Sequence, residues 1–327
     1  MKTEYYAAID IGGTKITAGV ASRAGPLARV VEYTAKTGSQ HALPLQALRL
    51  LDEACARAGV DSTRVAGVGV ASCGPFVRRD GLLCVSAPNI CGGLSNATDL
   101  PNDWTAIPLE QVLRERFDRV EIENDCVAAL AAERTFGAVI DEPDCVYVTW
   151  STGIGFGLCV NGRILRGKHG NAGHGGHMLM SDTLDALCGC GNRGDLEALI
   201  SGRNLAARLG VPAADLFAAA RGGDARARAI AEDAARWFGR GLYNLAAVLD
   251  TGVFVVGGSV WTHHGNWLQP WVVREIESRL PALTAGVRVV PARLGNLVAD
   301  LGAYSLVLPD DWIVHWRQHE PWQALPA

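Results

Sequence analysis

No stretch of this 327-residue chain approaches the ~20 consecutive apolar residues that a membrane-spanning helix needs. Export is not expected either. Met1-Lys2-Thr3-Glu4-Tyr5-Tyr6 runs directly into an apolar strand, without the apolar core that export requires. Charge of one sign is scarce. Thirty Lys and Arg against 34 Asp and Glu leave a formal net charge of −4, so no basic field points to nucleic acid. There is no low-complexity tract, and no repeat with a period of roughly 20–50 residues. These absences lead us to expect a cytoplasmic protein that engages neither membrane nor nucleic acid.

What is present fits a globular chain with a sizeable core. The chain is 49% hydrophobic and 20% charged, which excludes a wholly disordered or fibrous chain. Its length suits one large or two ordinary domains. Glycine is abundant at 38, and there are nine cysteines. Cys55, Cys73, Cys84, Cys91, Cys126, Cys145 and Cys159 are scattered, and without a secretory signal they read as reduced, buried thiols. Only Cys188 and Cys190 stand close together.

The chain opens with a strand at Tyr6–Ile9, a Gly12-Gly13 turn and a second strand at Ile16–Val20. A third strand fits Ala28–Tyr33. A helix follows with Leu45, Leu48, Leu51 and Cys55 on one face and Gly59 as its stop. Val65–Val70 and Val120–Glu123 read as strands, the latter running into a helix that ends near Arg134. The second half restarts the pattern. A strand at Cys145–Thr149, a turn at Thr152–Gly155 and a strand at Phe156–Val160 precede a tight Asn161-Gly162 turn. A long helix is expected from about Asp224 to Leu249, with Ile230, Ala234, Trp237, Gly241, Asn244 and Val248 on one stripe. The strand Val253–Val256 then ends at Gly257-Gly258. Two such openings predict two related α/β domains. We place a small N-terminal domain at 1–120 and a larger one at 121–304, with about 305–327 packing back on the first. Ligands of such proteins bind in the cleft between domains.

Five segments can carry chemistry. Asp10-Ile11-Gly12-Gly13-Thr14-Lys15 offers backbone N–H groups, a hydroxyl and a cation to a phosphate, and Asp10 can hold Mg²⁺ through water. The plainer alternative is an ordinary hairpin turn. A hairpin follows instead of a helix, which disfavours a dinucleotide fingerprint. Thr149–Gly157 repeats the same chemistry around Thr152, Gly153 and Gly155. Gly257-Gly258-Ser259 presents a bare surface to a base or ribose, or else simply joins strand to helix. Glu123-Asn124-Asp125 sets a carboxylate at a strand end, where it can take a proton from an attacking hydroxyl or cap a helix. Finally, His177, Cys188 and Cys190 lie within 14 residues, as Zn²⁺ ligands do, with Asp195 the nearest candidate for a fourth. The alternative is a glycine-rich loop with two reduced thiols.

Asp10–Lys15, Glu123–Asp125, Gly173-His174-Gly175-Gly176-His177 and Cys188-Gly189-Cys190-Gly191-Asn192-Arg193-Gly194, in this order, resemble the ROK family of repressors, open reading frames and kinases, and its glucokinase-like sugar kinases in particular. The resemblance spans nearly the whole chain. It implies a two-domain, actin-like ATPase (ribonuclease H-like) fold and ATP-dependent sugar phosphorylation. It implies that Asp10, Gly12, Gly13, Thr14, Lys15, Thr152, Gly153 and Gly155 bind the phosphates, and that Gly257 and Gly258 lie by the adenosine. Asp125 is implied as the general base. Gly74, Asn89, Asn124, His174, His177 and Glu197 are implied at the sugar. His177, Cys188 and Cys190 are implied as ligands of a structural Zn²⁺. A homodimer is expected on the same ground.

The chain departs from the family pattern at several positions. Asp195 stands where a third zinc cysteine is usual, and carboxylate oxygen also ligates zinc. His174 stands where a glutamate usually meets the sugar ring, which changes charge and hydrogen bonding at a specificity position. Phe156 replaces a usual glycine, and Gly93 a usual tryptophan. We therefore expect ATP-dependent phosphorylation of the primary hydroxyl of glucose or of a modified relative, such as the amino sugar kanosamine. A C7 cyclitol from antibiotic biosynthesis is the alternative substrate. A sugar-responsive repressor is a remote alternative, because the nine residues before Asp10 leave no room for a helix-turn-helix. Asn96-Ala97-Thr98 reads as an incidental sequon, and His263-His264 as a solvated loop or helix start. Trp312, Trp316 and Trp322 are expected to cover an apolar surface within the chain or on a partner.

Overall fold

A computed structural model describes residues 4–94 and 100–324. The sequon at Asn96 lies outside the described residues. The chain divides into two compact units. The first comprises Met1–Ile140, Arg166–Ala172 and Asn296–Ala327, and the second Asp141–Leu165 and Gly173–Gly295.

The first unit is built on a five-stranded sheet. Its strands are β1 (Tyr5–Ile11), β2 (Lys15–Ser22), β3 (Gly25–Tyr33), β4 (Val65–Ser72) and, after a separate β5–β6 hairpin (Phe76–Arg79, Leu82–Val85), β7 (Val120–Asn124). They run in the order β3-β2-β1-β4-β7. β1, β2 and β3 form an antiparallel meander, and β4 and β7 add in parallel. β1 and β4 are buried along nearly their whole length instead of alternating, as strands covered on both faces must be. The helix Ala42–Arg57 covers one face of the sheet, over β2, β3 and β1. It buries Leu43, Ala47, Leu50, Leu51, Ala54 and Cys55, while Leu45 is 55% exposed. Of the expected stripe, Leu51 and Cys55 are buried and Leu48 is partly buried against the core, and only Leu45 faces outward.

Two helices, Asp125–Phe136 and Val298–Ser305, pack together on the unit's other side. Backbone contact sets their spacing. A Cβ on Gly69 of β4 would fall 1.8 Å from the Ala303 carbonyl oxygen, and one on Gly302 would fall 2.7 Å from that of Ala128. The C-terminal tryptophans cover an apolar surface within the chain. Trp312 meets Tyr6 edge-on at 5.1 Å, Trp316 packs beside Tyr304 and Phe136, and Trp322 lies 4.9 Å from Phe136.

The second unit repeats the plan. β8 (Cys145–Trp150), β9 (Ile154–Val160), β10 (Arg163–Ile164), β11 (Val253–Gly257) and β12 (Arg288–Pro291) lie in the order β10-β9-β8-β11-β12. Again an antiparallel meander comes first, with two parallel strands added. Asn161 and Gly162 both have positive φ, 51° and 74°, as the predicted tight turn requires. The long helix runs from Ala225 to Leu249, and the Asp224 side chain caps it by accepting the Ala227 N–H. Its buried face is Ala227, Ala231, Ala234, Ala235, Phe238, Leu242 and Leu245, and Val248 is 78% exposed. The expected stripe therefore shares only Ala234 and Gly241 with the buried one. His263 and His264 lie inside the helix Ser259–Glu277, with His264 buried against Phe217 and not in a solvated loop.

Candidate functional site

In the first unit, three parallel strands end on one row. Ile11 of β1 pairs with Ser72 of β4, and Ser72 pairs with Asn124 of β7. The residues that follow these ends are the ones the sequence singles out. Ligand sites of open α/β sheets lie at the carboxyl ends of the strands.

After β1 comes the Gly12–Lys15 turn, closed by Gly12 N–H donating to the Lys15 carbonyl at 2.9 Å. Thr34 steadies it by donating its hydroxyl to the Gly12 carbonyl at 2.7 Å. Thr14 and Lys15 are exposed. A Cβ on Gly13 would lie 2.4 Å from Nδ2 of Asn89, so glycine alone lets Asn89 rest on this turn. The expected phosphate turn and the expected sugar-binding Asn89 are thereby brought together. After β4, Cys73 N–H donates to the Ile11 carbonyl, setting Gly74 beside the same turn.

After β7 comes the helix carrying Asp125. Asn124 caps it by accepting the Cys126 N–H at 3.0 Å. The cap reading of Asp125 is corrected accordingly, since Asp125 is the first helical residue and half-buried. Asp10 is pushed up to about 8, by burial first and then by the nearby Asp300 and Asp125 carboxylates. Asp300 is buried and accepts from Arg29 at 3.1 Å. Sequence reasoning missed Asp300 and Arg29. The one available signal is a lone acid within the apolar run Val298-Ala299-Asp300-Leu301-Gly302-Ala303.

The second unit shows a matching row. Thr149 of β8 pairs with Gly155 of β9 and with Gly257 of β11. Thr152 and Gly153 form the turn before β9, and Ile154 N–H donates to Glu197 Oε2 at 2.8 Å. A Cβ on Gly153 would lie 2.7 Å from that same oxygen. Glu197 is therefore fastened to the phosphate-like turn. Gly258, at φ 87°, passes so close to the Trp150 backbone that a Cβ would meet its carbonyl oxygen at 2.5 Å, and the helix Ser259–Glu277 starts directly after it.

The loop Gly173–His177 lies across Phe156. Phe156 N–H donates to the Gly173 carbonyl at 3.0 Å, and a Cβ on Gly175 would touch the Phe156 ring at 2.8 Å. The phenylalanine at a usual glycine position is accommodated because its ring is fully buried beneath this loop. Gly93 is likewise enforced, since a Cβ there would lie 2.4 Å from the Asp103 carbonyl oxygen. His174 precedes the single turn Gly175–His177, and the two imidazoles stand 6.2 Å apart, nearly parallel.

His177, Cys188, Cys190 and Asp195 converge, with ligand atoms all within 4.8 Å of one another. His177 Nδ1 lies 3.2 Å from Asp195 Oδ2, 3.8 Å from Cys188 Sγ and 3.5 Å from Cys190 Sγ. Cys190 Sγ is 3.7 Å from Asp195 Oδ2. Tetrahedral zinc, with Zn–S near 2.3 Å and Zn–N or Zn–O near 2.0 Å, separates its ligand atoms by about 3.3–3.8 Å. Four of the separations, 3.2–3.8 Å, suit that ion, and the remaining pairs, up to 4.8 Å apart, would draw in on binding it. Asp195 divides its carboxylate: Oδ1 accepts the Ala198 N–H at 2.7 Å, capping a short helix, and Oδ2 faces the cluster. Burial works to raise the Asp195 pKa, but the His177 ring and the Ala198 N–H outweigh it and keep the group ionised. Its bond to His177 raises the imidazole's pKa in turn. Burial and the Glu197 carboxylate push the Cys188 thiol far up, so ion binding must displace its proton. The seven scattered cysteines are buried, as expected, and none of them forms a disulfide among the described residues.

The family model described as ROK matches residues 6–309. The chain belongs to the ROK family. N-acetylmannosamine kinase of Citrobacter koseri is 34% identical to this ROK protein over 84% of this chain and 89% of that one. The ROK hexokinase structure from Thermus thermophilus is 32% identical, with a TM-score of 0.76, over 92% of this chain and 97% of that one. A ROK glucokinase from Streptomyces griseus, solved with glucose and AMPPNP, is 29% identical with a TM-score of 0.66, over 93% of this chain and 99% of that one. The fold is the two-domain actin-like ATPase fold of the ROK kinases, and the protein is a hexokinase-type phosphotransferase. Among the described residues, no helix is long and apolar enough to cross a membrane.

Proposed function

We propose that this ROK protein transfers the γ-phosphate of ATP to the primary (6-) hydroxyl of a glucose-like hexose, and that amino sugars such as kanosamine fall within its range alongside glucose. The observation that carries this reading is the row of strand ends that sets Gly13 against Asn89 and leads directly into Asn124-Asp125. Phosphoryl transfer asks little covalent chemistry of a protein and much positioning.

In this reading Asp125 orients the hydroxyl and takes its proton as the sugar oxygen attacks the γ-phosphorus. The new O–P bond forms as the bond to the β,γ-bridging oxygen breaks, and ADP leaves with the electron pair. Asn89, Asn124 and the Gly74 loop hold ring hydroxyls, with His174, His177 and Glu197 as further sugar contacts. Backbone N–H groups of the Gly12–Lys15 and Thr152–Gly155 turns bind the phosphates, and Gly257-Gly258 lies by the adenosine. Asp10, on giving up the proton that its burial favours, would hold Mg²⁺, which would neutralise phosphate charge. His177 (through Nδ1), Cys188, Cys190 and Asp195 would hold a structural Zn²⁺, which would leave Nε2 of His177 for the sugar.

His174 motivates the modified substrates. An imidazole in place of a carboxylate removes a full negative charge from a ring-hydroxyl contact, which alters sugar preference. The C7 cyclitol branch rests on the same residue. A panel of glucose, mannose, N-acetylmannosamine, kanosamine and a C7 cyclitol, assayed for ADP release, tests the reading. Strong preference for glucose over every modified sugar would remove the modified branch.

A further inference from the structure

Arg166–Ala172 is a short strap that belongs to the first unit although the chain on either side of it belongs to the second. It closes on itself, with Ala172 N–H donating to the Arg166 carbonyl at 3.0 Å. It is pinned at both ends. The Arg166 guanidinium pairs with the Glu123 carboxylate, one residue before Asn124. At the other end Asn171 reads a backbone. Its Oδ1 accepts the Phe76 N–H at 2.7 Å, and its Nδ2 donates to the Phe76 carbonyl at 2.7 Å.

Asn171 thus stands in for a neighbouring strand. The β5–β6 hairpin has two strands only, a unit of marginal stability by itself. Phe76 of β5 sits opposite Val85 of β6. Val85 bonds away from the hairpin to Ile107, at 3.0 and 2.8 Å. Phe76 bonds away from it to Asn171. Both outer edges of this pair are therefore satisfied, one by backbone and one by a single side chain. Gly170, at φ 83°, lets the strap approach until a Cβ would stand 3.4 Å from the Phe76 ring.

The clamped pair adjoins two segments assigned to the sugar. Gly74 and Pro75 immediately precede Phe76. Ser86 follows Val85, donates its N–H to the Pro75 carbonyl at 2.9 Å, and leads through Ala87-Pro88 to Asn89. A shift of Phe76 is transmitted to Gly74 along the chain and to Asn89 through the hairpin.

We propose that Asn171 is a positioning residue for sugar binding, acting through the Phe76 backbone to fix Gly74 and Asn89. The proposal rests on the reading that these two residues meet the sugar. Displacement of binding groups by about 1 Å costs on the order of a hundredfold, so the effect is measurable.

The test is steady-state kinetics on Asn171→Ala and on the isosteric Asn171→Asp, which keeps the volume but sets an oxygen against the Phe76 carbonyl. We expect the sugar KM to rise about tenfold or more in both, with the ATP KM within about twofold and kcat within about threefold of wild type. Hydrogen exchange at the Phe76 amide should lose its protection in Asn171→Ala. If that variant fails to fold, Asn171→Asp carries the same comparison. A sugar KM within twofold of wild type in the folded variants, or sugar and ATP KM values rising together, overturns the proposal. Unchanged exchange at Phe76 overturns the clamp itself. A wild-type protein that phosphorylates no sugar of the panel overturns the functional reading instead, and with it the proposal.

Discussion

His177 Nδ1 and Asp195 Oδ2 stand 3.2 Å apart, the spacing of two ligands on one tetrahedral zinc ion. On such an ion the carboxylate would occupy the corner that a thiolate takes in the family pattern. Asn at 195 keeps the helix cap but removes the anion, whereas Ala removes both. We expect Asp195→Asn to bind zinc more weakly and Asp195→Cys more tightly than wild type. Asp195→Ala should lose a further ~1 kcal/mol of stability with the cap. Zinc content by elemental analysis and Tm with and without a chelator check this. Equal zinc retention in all three variants would contradict it.

Gly13→Ala tests the contact between the phosphate turn and Asn89. Its Cβ would fall 2.4 Å from Asn89 Nδ2, so either the turn or the amide must move. We expect kcat/KM to fall on the order of tenfold to a hundredfold, with the KM for sugar and for ATP both raised. A change confined to ATP would show that Asn89 gives way without consequence.

His264 predicts acid sensitivity. Burial, reinforced by Arg221 and His263, lowers its pKa from the ordinary 6.5 to about 4, and its Nδ1 has no hydrogen-bond partner among the described residues. The unfolded chain binds this proton between those two values and the folded one does not, so stability falls as pH drops from 6.5 towards 4. The loss amounts to about 3 kcal/mol at full extent. His264→Leu should remove that part of the slope. Urea unfolding of both proteins at pH 7 and pH 4.5 measures it, and parallel stability losses would refute the assignment.

Much of the site was legible because its signals are local. Gly12-Gly13, Thr152–Gly155 and Gly257-Gly258 each follow an apolar strand within a few residues, and Asn161-Gly162 names its own turn. The helix faces were less legible. Leu45 and Val248 are large and apolar yet exposed, while Ala47, Ala54, Ala231 and Ala235 face inward, because close packing favours small side chains. Asp300 and Asn171 were invisible for another reason. Their partners, Arg29 and Phe76, lie 271 and 95 residues away in sequence, and no periodicity reports such a contact.

In the proposed reaction Asp125 takes the proton from the hydroxyl being phosphorylated. Its most direct test is the kcat of Asp125→Asn with saturating sugar and ATP, followed by ADP release. Asn preserves size and helix position but cannot accept the proton. The account predicts a fall of about 10²–10⁴-fold in kcat, with sugar and ATP still binding. Turnover within a few-fold of wild type would contradict it.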